Sequence, residues 1–289
     1  MNNQLIQVNE TNWTFKNDSD QWLSDLESGK ILYFPNLPFN LSDKESNLLN
    51  PEIRNPKSRN ISLNENGILK GALGDTESLL LVKNLVQRFR DNANTLINSI
   101  APQYKPYLKL APTSLRPMRV ESRQQSIKAD DKRVHVDAFP SRPNYGERIL
   151  RVFININPHG EPRVWRIGEP FENVVKRFLT KTKKYSPLLA RLLQVFKITK
   201  SYRSEYDHLM LQLHDLMKYD ESYQANAGDI VFPFPPGSVW VCFSDQATHG
   251  VLSGQYMMEQ TYYLPVQYQA YPSKSPLKIL EEVTGKRLT

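Results

Sequence analysis

The chain has 289 residues, of which 39% are hydrophobic, which is enough for one substantial core and predicts a single domain. Its one cysteine excludes an internal disulfide and suits a reducing compartment. The net charge is +7, no apolar run approaches the roughly 20 residues that span a bilayer, and the first 30 residues lack a secretory signal pattern, so we expect a cytoplasmic protein.

Two helix signals occur in the first hundred residues. Ser42-Asp43-Lys44-Glu45 is a capping-box pattern, and Asp75 precedes a run of apolar residues at helical spacing. That run is Leu79, Val82, Leu85, Val86, Phe89, Ala93, Leu96, Ile97 and Ile100. We therefore expect a helical N-terminal region, about residues 1–105, packed on a core that the rest of the chain forms.

Short strand-like segments separated by turn residues follow, which predicts a β core over about residues 106–270. The clearest strand runs from Arg148 to Asn157 and is rich in β-branched residues. Because successive side chains on a strand point to opposite sides, Arg151 and Asn155 share one face. That face carries the polar groups and is the candidate for lining a cavity.

A helical insertion is predicted over about residues 170–220. Ser186 and Pro187 offer an N-cap and first helical position, and Ser204 offers a second N-cap. Later strands are predicted around Trp240 and from about Tyr256 to Tyr263. The single Cys242 lies in the first of these strands, where a buried, inert thiol is expected.

Basic residues are concentrated in the middle of the chain. Residues 116–203 contain 20 Lys and Arg against 8 Asp and Glu. This excess indicates a positive surface that attracts anionic substrates, although a solvated basic face explains it equally well.

The triplet His135-Val136-Asp137 and the distant His249 form the main chemical motif. On a strand, residues i and i+2 point to the same side, so His135 and Asp137 can reach one metal ion. Two imidazoles and one carboxylate can occupy one face of Fe(II) and leave three positions for an oxidant and a co-substrate. A zinc hydrolase could use the same ligands, but no local motif supplies its general base.

The other three histidines are weaker candidates for metal ligands. His208 and His214 are six residues apart on a predicted helix and therefore lie on different faces. His159 lies in a Pro-His-Gly turn, where a solvated side chain is expected.

Many short strands, with an H-x-D triplet on one and a histidine on a later one, are typical of a double-stranded β-helix. In this jelly-roll variant the mouth of the barrel holds the metal. The predicted fold class is mainly β with flanking helices, an α+β protein.

Several long segments carry a family resemblance. They are His135-Val136-Asp137-Ala138-Phe139-Pro140-Ser141-Arg142-Pro143, Gly146-Glu147-Arg148-Ile149-Leu150-Arg151-Val152-Phe153, Asn155-Ile156-Asn157-Pro158-His159-Gly160, Pro162-Arg163-Val164-Trp165-Arg166, Phe232-Pro233 and Thr248-His249-Gly250-Val251. Together they resemble the Kdo hydroxylase family of Fe(II)/2-oxoglutarate dioxygenases. The resemblance implies hydroxylation at C3 of 3-deoxy-D-manno-oct-2-ulosonic acid (Kdo) in the lipopolysaccharide inner core. It also implies Fe(II) on His135, Asp137 and His249, with O2 and 2-oxoglutarate consumed and succinate and CO2 released.

The resemblance leaves the anchor for 2-oxoglutarate open. Many 2-oxoglutarate oxygenases place an arginine about ten residues after the distal histidine, where this chain has Met258-Glu259-Gln260-Thr261. We predict that Arg151, together with Asn155, binds the co-substrate instead, because a planar guanidinium suits a carboxylate. Arg148 and Arg119 are the reserve candidates.

The implied substrate is an anionic sugar of Kdo-lipid A or a related precursor. Arg119, Arg163 and Arg166 are the predicted substrate-binding residues. Peripheral contact with the cytoplasmic face of the inner membrane is also expected, because Lys181-Thr182-Lys183-Lys184-Tyr185 could bind anionic headgroups.

Two alternatives remain open. One is a 2-oxoglutarate oxygenase that acts on protein or nucleic acid, since a basic cleft also attracts phosphodiesters, although nucleic acid is not the expected partner. The other is a non-catalytic jelly roll that binds anions or sugars without turnover. The complete His/Asp/His set favours an enzyme.

Overall fold

Two β-sheets form the centre of the fold. The computed structural model describes residues 4–16, 20–122, 125–228 and 230–289. The strands in these ranges are β1 (Leu5–Gln7), β2 (Ile31–Phe34), β3 (Ile61–Leu63), β4 (Leu69–Lys70), β5 (Lys109–Leu110), β6 (Thr113–Arg116), β7 (Arg148–Asn155), β8 (Arg163–Ile167), β9 (Ile230–Phe234), β10 (Val239–Phe243), β11 (His249–Ser253) and β12 (Met257–Leu264). The larger sheet has the order β1-β2-β10-β7-β12-β6-β3-β4, with β5 also paired to β12. The smaller sheet has the order β11-β8-β9.

Helices occur in the N-terminal part of the chain, in its middle and near its C-terminus. They are α1 (Gln21–Glu27), α2 (Asp43–Leu48), α3 (Thr76–Ile100), α4 (Phe171–Phe178), α5 (Pro187–Val195), α6 (Glu205–Tyr219), α7 (Glu221–Asn226) and α8 (Pro276–Thr284). Within the described ranges, none of these helices has the length and apolar character needed to cross a membrane.

The outer face of the larger sheet packs against α3. The apolar side of this helix, including Val86 and Phe89, joins one buried cluster with Leu150, Val152 and Ile154 of β7. The alternation of β7 therefore turns its other face, which carries Arg151 and Phe153, toward the smaller sheet.

Aromatic rings fill the space between the two sheets. Phe153 of β7 and Trp165 of β8 meet edge to face with centroids 5.1 Å apart, and Phe234 of β9 stacks on Trp240 of β10 at 4.2 Å. These contacts join the faces of both sheets into one buried cluster and fix their separation.

The segment between β8 and β9 contains α4 to α7 and forms a second core. Its buried side chains, such as Phe178 and Leu213, pack against Val134 and Val136. These two valines flank His135, so the helical segment supports the backbone that carries the predicted metal ligand.

The structure confirms the predicted helix starts. Ser42 caps α2 in a capping box with Glu45, and the Asp75 side chain accepts a hydrogen bond from Ser78 at the start of α3. Ser186 and Ser204 cap α5 and α6. The helix α4 lies within the predicted helical insertion, although the sequence reasoning did not predict it individually. The sequence reasoning did not find α1, α7 or α8, the first two of which are seven residues or shorter.

The predicted burial of the single thiol is also confirmed. Cys242 lies on β10 and is completely buried. Burial raises the pKa of the thiol far above its ordinary value, which disfavours the nucleophilic thiolate.

Candidate metal centre

His135 and His249 are joined through their main chains. Each backbone N–H donates to the carbonyl oxygen of the other residue at 2.9 Å, which forms an isolated antiparallel bridge. His249 begins β11, whereas His135 lies in an extended segment before β7 and outside the named strands. Gly250 permits the close approach, because a Cβ at this position would lie 2.7 Å from the carbonyl oxygen of Lys132.

The backbone on both sides of His135 is held by hydrogen bonds. Gln224 of α7 pairs with the main chain of Val134: the Val134 N–H donates to Oε1, and Nε2 donates to the Val134 carbonyl, both at 2.9 Å. On the other side, the Asp137 N–H donates to the Ser244 carbonyl at 2.8 Å. These hydrogen bonds hold the H-x-D segment in place on both sides.

Both imidazoles present their Nε2 atoms to the site. The Nδ1 of His135 lies 2.7 Å from the Arg133 carbonyl oxygen, and that of His249 lies 2.8 Å from the Ala247 carbonyl oxygen. A carbonyl oxygen can only accept, so Nδ1 carries the proton and Nε2 keeps a free lone pair. Burial lowers the pKa of both rings, which keeps them neutral and ready to bind a cation.

The carboxylate of Asp137 completes a set of three possible ligands. Atoms of His135, Asp137 and His249 lie within 4.8 Å of one another, and His135 Nε2 is 3.7 Å from Asp137 Oδ1. Burial works to raise the pKa of Asp137, but the charge of Arg151 and smaller contributions from His249, His135 and Ser244 together outweigh it, so the pKa is lowered and the carboxylate stays ionised. The buried Asp137 Oδ2 lies 3.1 Å from Arg151 Nη2 but accepts no hydrogen bond of good geometry from the described residues. Two neutral imidazoles and one ionised carboxylate fit a divalent transition metal.

The three ligands line a cavity of about 410 Å³, a size typical of small-molecule sites. Phe153 and Trp165 form an apolar part of its wall, and the Trp165 indole stacks on the His249 ring with centroids 4.9 Å apart. The charged residues of the wall are mainly basic: Arg59, Arg116, Lys128, Arg151, Arg163 and Lys218 against Asp131, Asp137, Asp215 and Glu259. The cavity can therefore accept an anionic ligand next to the metal position.

Arg151, the predicted 2-oxoglutarate anchor, lies inside this cavity. Its Nη2 is 3.1 Å from Asp137 Oδ2, and its Nη1 is 3.5 Å from Glu259 Oε1. Glu259 occupies the position ten residues after His249, and it also pairs with Arg116 at 2.6 Å. A carboxylate thus occupies the position at which many 2-oxoglutarate oxygenases have an arginine. It lies between the guanidinium groups of Arg151 and Arg116.

Asn155 lies on the same face of β7 but is used differently. Its side-chain Nδ2 donates to the backbone carbonyls of Glu161 and Phe234, both at 3.0 Å, and its Oδ1 accepts from the Asn157 N–H. Asn155 is not among the described residues that line the cavity. The structure thus places it as a support for the turn after β7.

The three arginines predicted to bind substrate lie in different surroundings. Arg163 is buried, lines the cavity and donates from Nη1 to the Gly254 carbonyl. Arg119 pairs with Glu161 at the surface, and Arg166 donates from Nη1 to a backbone carbonyl of α7. Arg119 and Arg166 are absent from the described cavity wall.

One wall of the cavity was missed by sequence reasoning. Leu211, His214, Asp215 and Lys218 of α6 line the cavity, and the His214 ring meets the His135 ring edge to face at 5.4 Å. Their spacing of i, i+3, i+4 and i+7 places them on one side of the helix. The polar residues of this side, His214, Asp215 and Lys218, are a signal of a helix that faces a polar site, which the spacing of His208 and His214 alone does not reveal.

Comparison with known proteins agrees with this geometry. A family model described as 3-deoxy-D-manno-oct-2-ulosonic acid (Kdo) hydroxylase matches residues 9–287. No curated protein was found to match the chain.

Solved structures similar to this chain are those of the Kdo hydroxylase KdoO, described as a non-heme Fe(II) alphaketoglutarate dependent dioxygenase. Its cobalt(II) complex is 43% identical with a TM-score of 0.93, covering 99% of this chain and 97% of that chain. The apo structure is 44% identical with a TM-score of 0.92, covering 98% and 97%. The complex with alphaketoglutarate and Fe(III) is 43% identical with a TM-score of 0.91, covering 99% and 97%. The chain therefore belongs to the Kdo hydroxylase family.

Proposed function

We propose that this protein is an Fe(II)/2-oxoglutarate-dependent dioxygenase that hydroxylates Kdo. The observation that carries the proposal is the set of two buried histidines, His135 and His249, and the half-buried Asp137, with both imidazole Nε2 atoms free and facing a basic cavity. The family match over residues 9–287 and the similarity to KdoO support the same reaction.

The three ligands would hold Fe(II) on one side and leave the cavity side open to small molecules. The bound ion, with O2 and 2-oxoglutarate, supplies the oxidant that converts a C–H bond of the sugar to C–OH, while 2-oxoglutarate becomes succinate and CO2. The carbonyls that bind each Nδ1 keep the rings in the correct tautomer. Phe153 and Trp165 exclude water from this part of the cavity.

Arg151 is the proposed anchor for the distal carboxylate of 2-oxoglutarate. It is the cation beside Asp137, and Glu259 holds its guanidinium from the other side. Asn155 would contribute by fixing the end of β7 through its two carbonyl contacts. A carboxylate arriving at Arg151 also meets Arg116, which offsets the negative charge of Glu259.

We assign the substrate to the Kdo sugar of Kdo-lipid A and the hydroxylated atom to C3. Arg163 is the strongest of the proposed sugar-binding arginines, because it lines the cavity. We also propose that Arg119 and Arg166 bind parts of a large substrate that extend beyond the cavity.

The enzyme would bind this substrate at the cytoplasmic face of the inner membrane. We interpret the two facing sheets as a double-stranded β-helix, which supports the same activity.

The decisive experiment incubates the purified protein with Kdo-lipid A, Fe(II), 2-oxoglutarate and O2. We expect the lipid to gain the mass of one oxygen atom, with one succinate formed per oxygen inserted, and fragmentation to place the oxygen at C3 of Kdo. Succinate formation without a change in the mass of the lipid would contradict the assignment of Kdo-lipid A as the substrate. Oligonucleotide and peptide substrates serve as controls for the alternative oxygenases.

A further inference from the structure

An exposed apolar stripe runs along α5. Six large apolar side chains in and just after this helix are exposed to solvent, with Leu188 and Phe196 each 70% exposed. The six are Leu188, Leu189, Leu192, Val195, Phe196 and Ile198. At 100° per residue, the first five lie within about 120° of the helix circumference. Ala190 lies outside this arc and is buried, and Leu193 beside the arc is half-buried, so the helix packs on the protein through these two residues and presents the exposed ones outward.

The chain around this stripe carries positive charge without negative charge. We define the α5 segment as residues 181–203, which contain seven Lys and Arg and no Asp or Glu. The seven are Lys181, Lys183, Lys184, Arg191, Lys197, Lys200 and Arg203. Apolar side chains bordered by cations are the pattern of a surface that lies on an anionic bilayer.

The α5 segment is attached to the rim of the cavity. Its two ends are joined by the Tyr185 hydroxyl, which lies 2.7 Å from the Tyr202 hydroxyl and from the Arg203 carbonyl oxygen. The Lys200 N–H donates to the Ser141 carbonyl at 2.9 Å, and Arg203 Nη2 donates to the carbonyl of Pro140 at 2.5 Å. Pro140 itself lines the cavity. A surface that binds this segment therefore lies next to one edge of the cavity.

We propose that the α5 segment is a docking surface for an anionic lipid bilayer, and that it holds the cavity rim beside the membrane. Leu188 and Phe196 enter the boundary between headgroups and acyl chains, while the surrounding cations bind lipid phosphates. A second copy of this chain would bind poorly to this surface. Each α5 segment carries seven positive charges, so two facing segments would repel each other. The delivery of a membrane-bound sugar to the cavity rests on the function proposed above, whereas the docking itself does not.

The binding test uses the full chain with vesicles of phosphatidylcholine and phosphatidylglycerol, and with vesicles of phosphatidylcholine alone. The parent protein should sediment with the anionic vesicles. The Leu188→Ser/Phe196→Ser and Lys183→Gln/Lys184→Gln variants should each bind on the order of tenfold more weakly. Leu80→Ser/Val283→Ser removes apolar side chains that are 55% and 58% exposed on other helices, and it should bind like the parent.

Binding by the Leu188→Ser/Phe196→Ser variant equal to that of the parent would overturn the proposal, as would failure of the parent to bind anionic vesicles. Sedimentation equilibrium is the second measurement. A parent dimer that this variant converts to monomers would identify the stripe as a self-interface and would also overturn it.

An activity test separates docking from chemistry. Succinate formation is measured with Kdo-lipid A in anionic vesicles and with the same lipid in detergent micelles. The Leu188→Ser/Phe196→Ser variant should lose activity on vesicles and match the parent in micelles. If the parent forms no succinate in either case but still binds vesicles, the proposed reaction fails and the docking surface stands.

Discussion

The guanidinium of Arg151 lies 3.1 Å from the carboxylate of Asp137, a candidate metal ligand. One side chain therefore faces both the metal position and the place where we propose 2-oxoglutarate binds. Because Arg151 also contacts Glu259, replacing it removes the cation beside Asp137 and leaves Glu259 paired with Arg116 alone. This arrangement predicts effects on both co-substrate and metal binding.

Arg151→Lys should raise the KM for 2-oxoglutarate by roughly tenfold to a hundredfold, since a hydrogen bond to a charged group is worth about 1.5–3 kcal/mol. The KM is measured from succinate formation at saturating Fe(II). Arg119→Lys changes the reserve arginine, which pairs with Glu161 at the surface, and is the matched control. An unchanged KM in the Arg151 variant would move the anchor elsewhere.

His135→Ala and Asp137→Ala should each abolish substrate-dependent succinate formation and metal binding while the protein stays folded. The main-chain bonds of both residues do not depend on their side chains. Activity, bound Fe(II) and the melting temperature are measured together. His159→Ala, in an exposed turn, is the control. Full activity in either ligand variant would refute the assignment.

Gly250→Ala should weaken Fe(II) binding on the order of tenfold and reduce the free energy of unfolding by about 1–3 kcal/mol. The added methyl group would lie 2.7 Å from the Lys132 carbonyl oxygen and push the His135 segment away from His249. Metal titration and urea unfolding test this. Gly160→Ala adds a methyl group in open space at φ +80° and separates backbone strain from damage to the site. Normal metal affinity in Gly250→Ala would show that the two segments tolerate separation.

Arg163→Gln should raise the KM for the sugar substrate, because Arg163 lines the cavity and is the strongest proposed sugar-binding arginine. The expected loss is about tenfold, for one charged hydrogen bond. Arg166→Gln, three residues later and outside the described wall, is the comparison. A larger effect at Arg166 than at Arg163 would place the sugar outside the cavity.

Glu45→Gln should remove an acid-sensitive part of the stability. Burial works to raise the pKa of Glu45, but hydrogen bonds from Ser42 and the charge of Arg88 outweigh it and lower the pKa below 4.5. A lowered folded-state pKa stabilises the protein above the unfolded-state pKa, and this contribution disappears as the pH falls through the folded-state value.

At neutral pH the Glu45→Gln variant should therefore be less stable by roughly 0.5 kcal/mol. The difference from the parent should vanish in acid, as measured by urea unfolding at several pH values. Glu65→Gln, in an exposed turn, is the control. A difference that persists unchanged below the folded-state pKa would show that the charge of Glu45 is not its cause.

Short sequence patterns predicted the helix caps and the strand faces, because these features depend on residues that are close together in the chain. Ser42 and Asp75 cap helices because their side chains accept backbone N–H groups a few residues away. The alternation of β7 correctly placed Arg151 on the inner face. The structure also brings together His135, Asp137 and His249, whose side-chain chemistry identified them as candidate ligands.

Contacts between distant segments could not be predicted in the same way. Asn155 follows the alternation of β7, but its amide is occupied by the carbonyls of Glu161 and Phe234, which the sequence does not reveal as neighbours. The pairing of Glu259 with Arg116 and Arg151 also depends on how three strands are ordered in the sheet.

The bridge between His135 and His249 affects how the protein handles its ion. In small zinc domains, folding and metal capture are one event, and a chelator unfolds the chain. Here the two rings are kept side by side by peptide groups that the ion never touches. If the iron is oxidised or lost, the two histidines should therefore stay in place. Fe(II) should then bind to the site again without refolding of the chain.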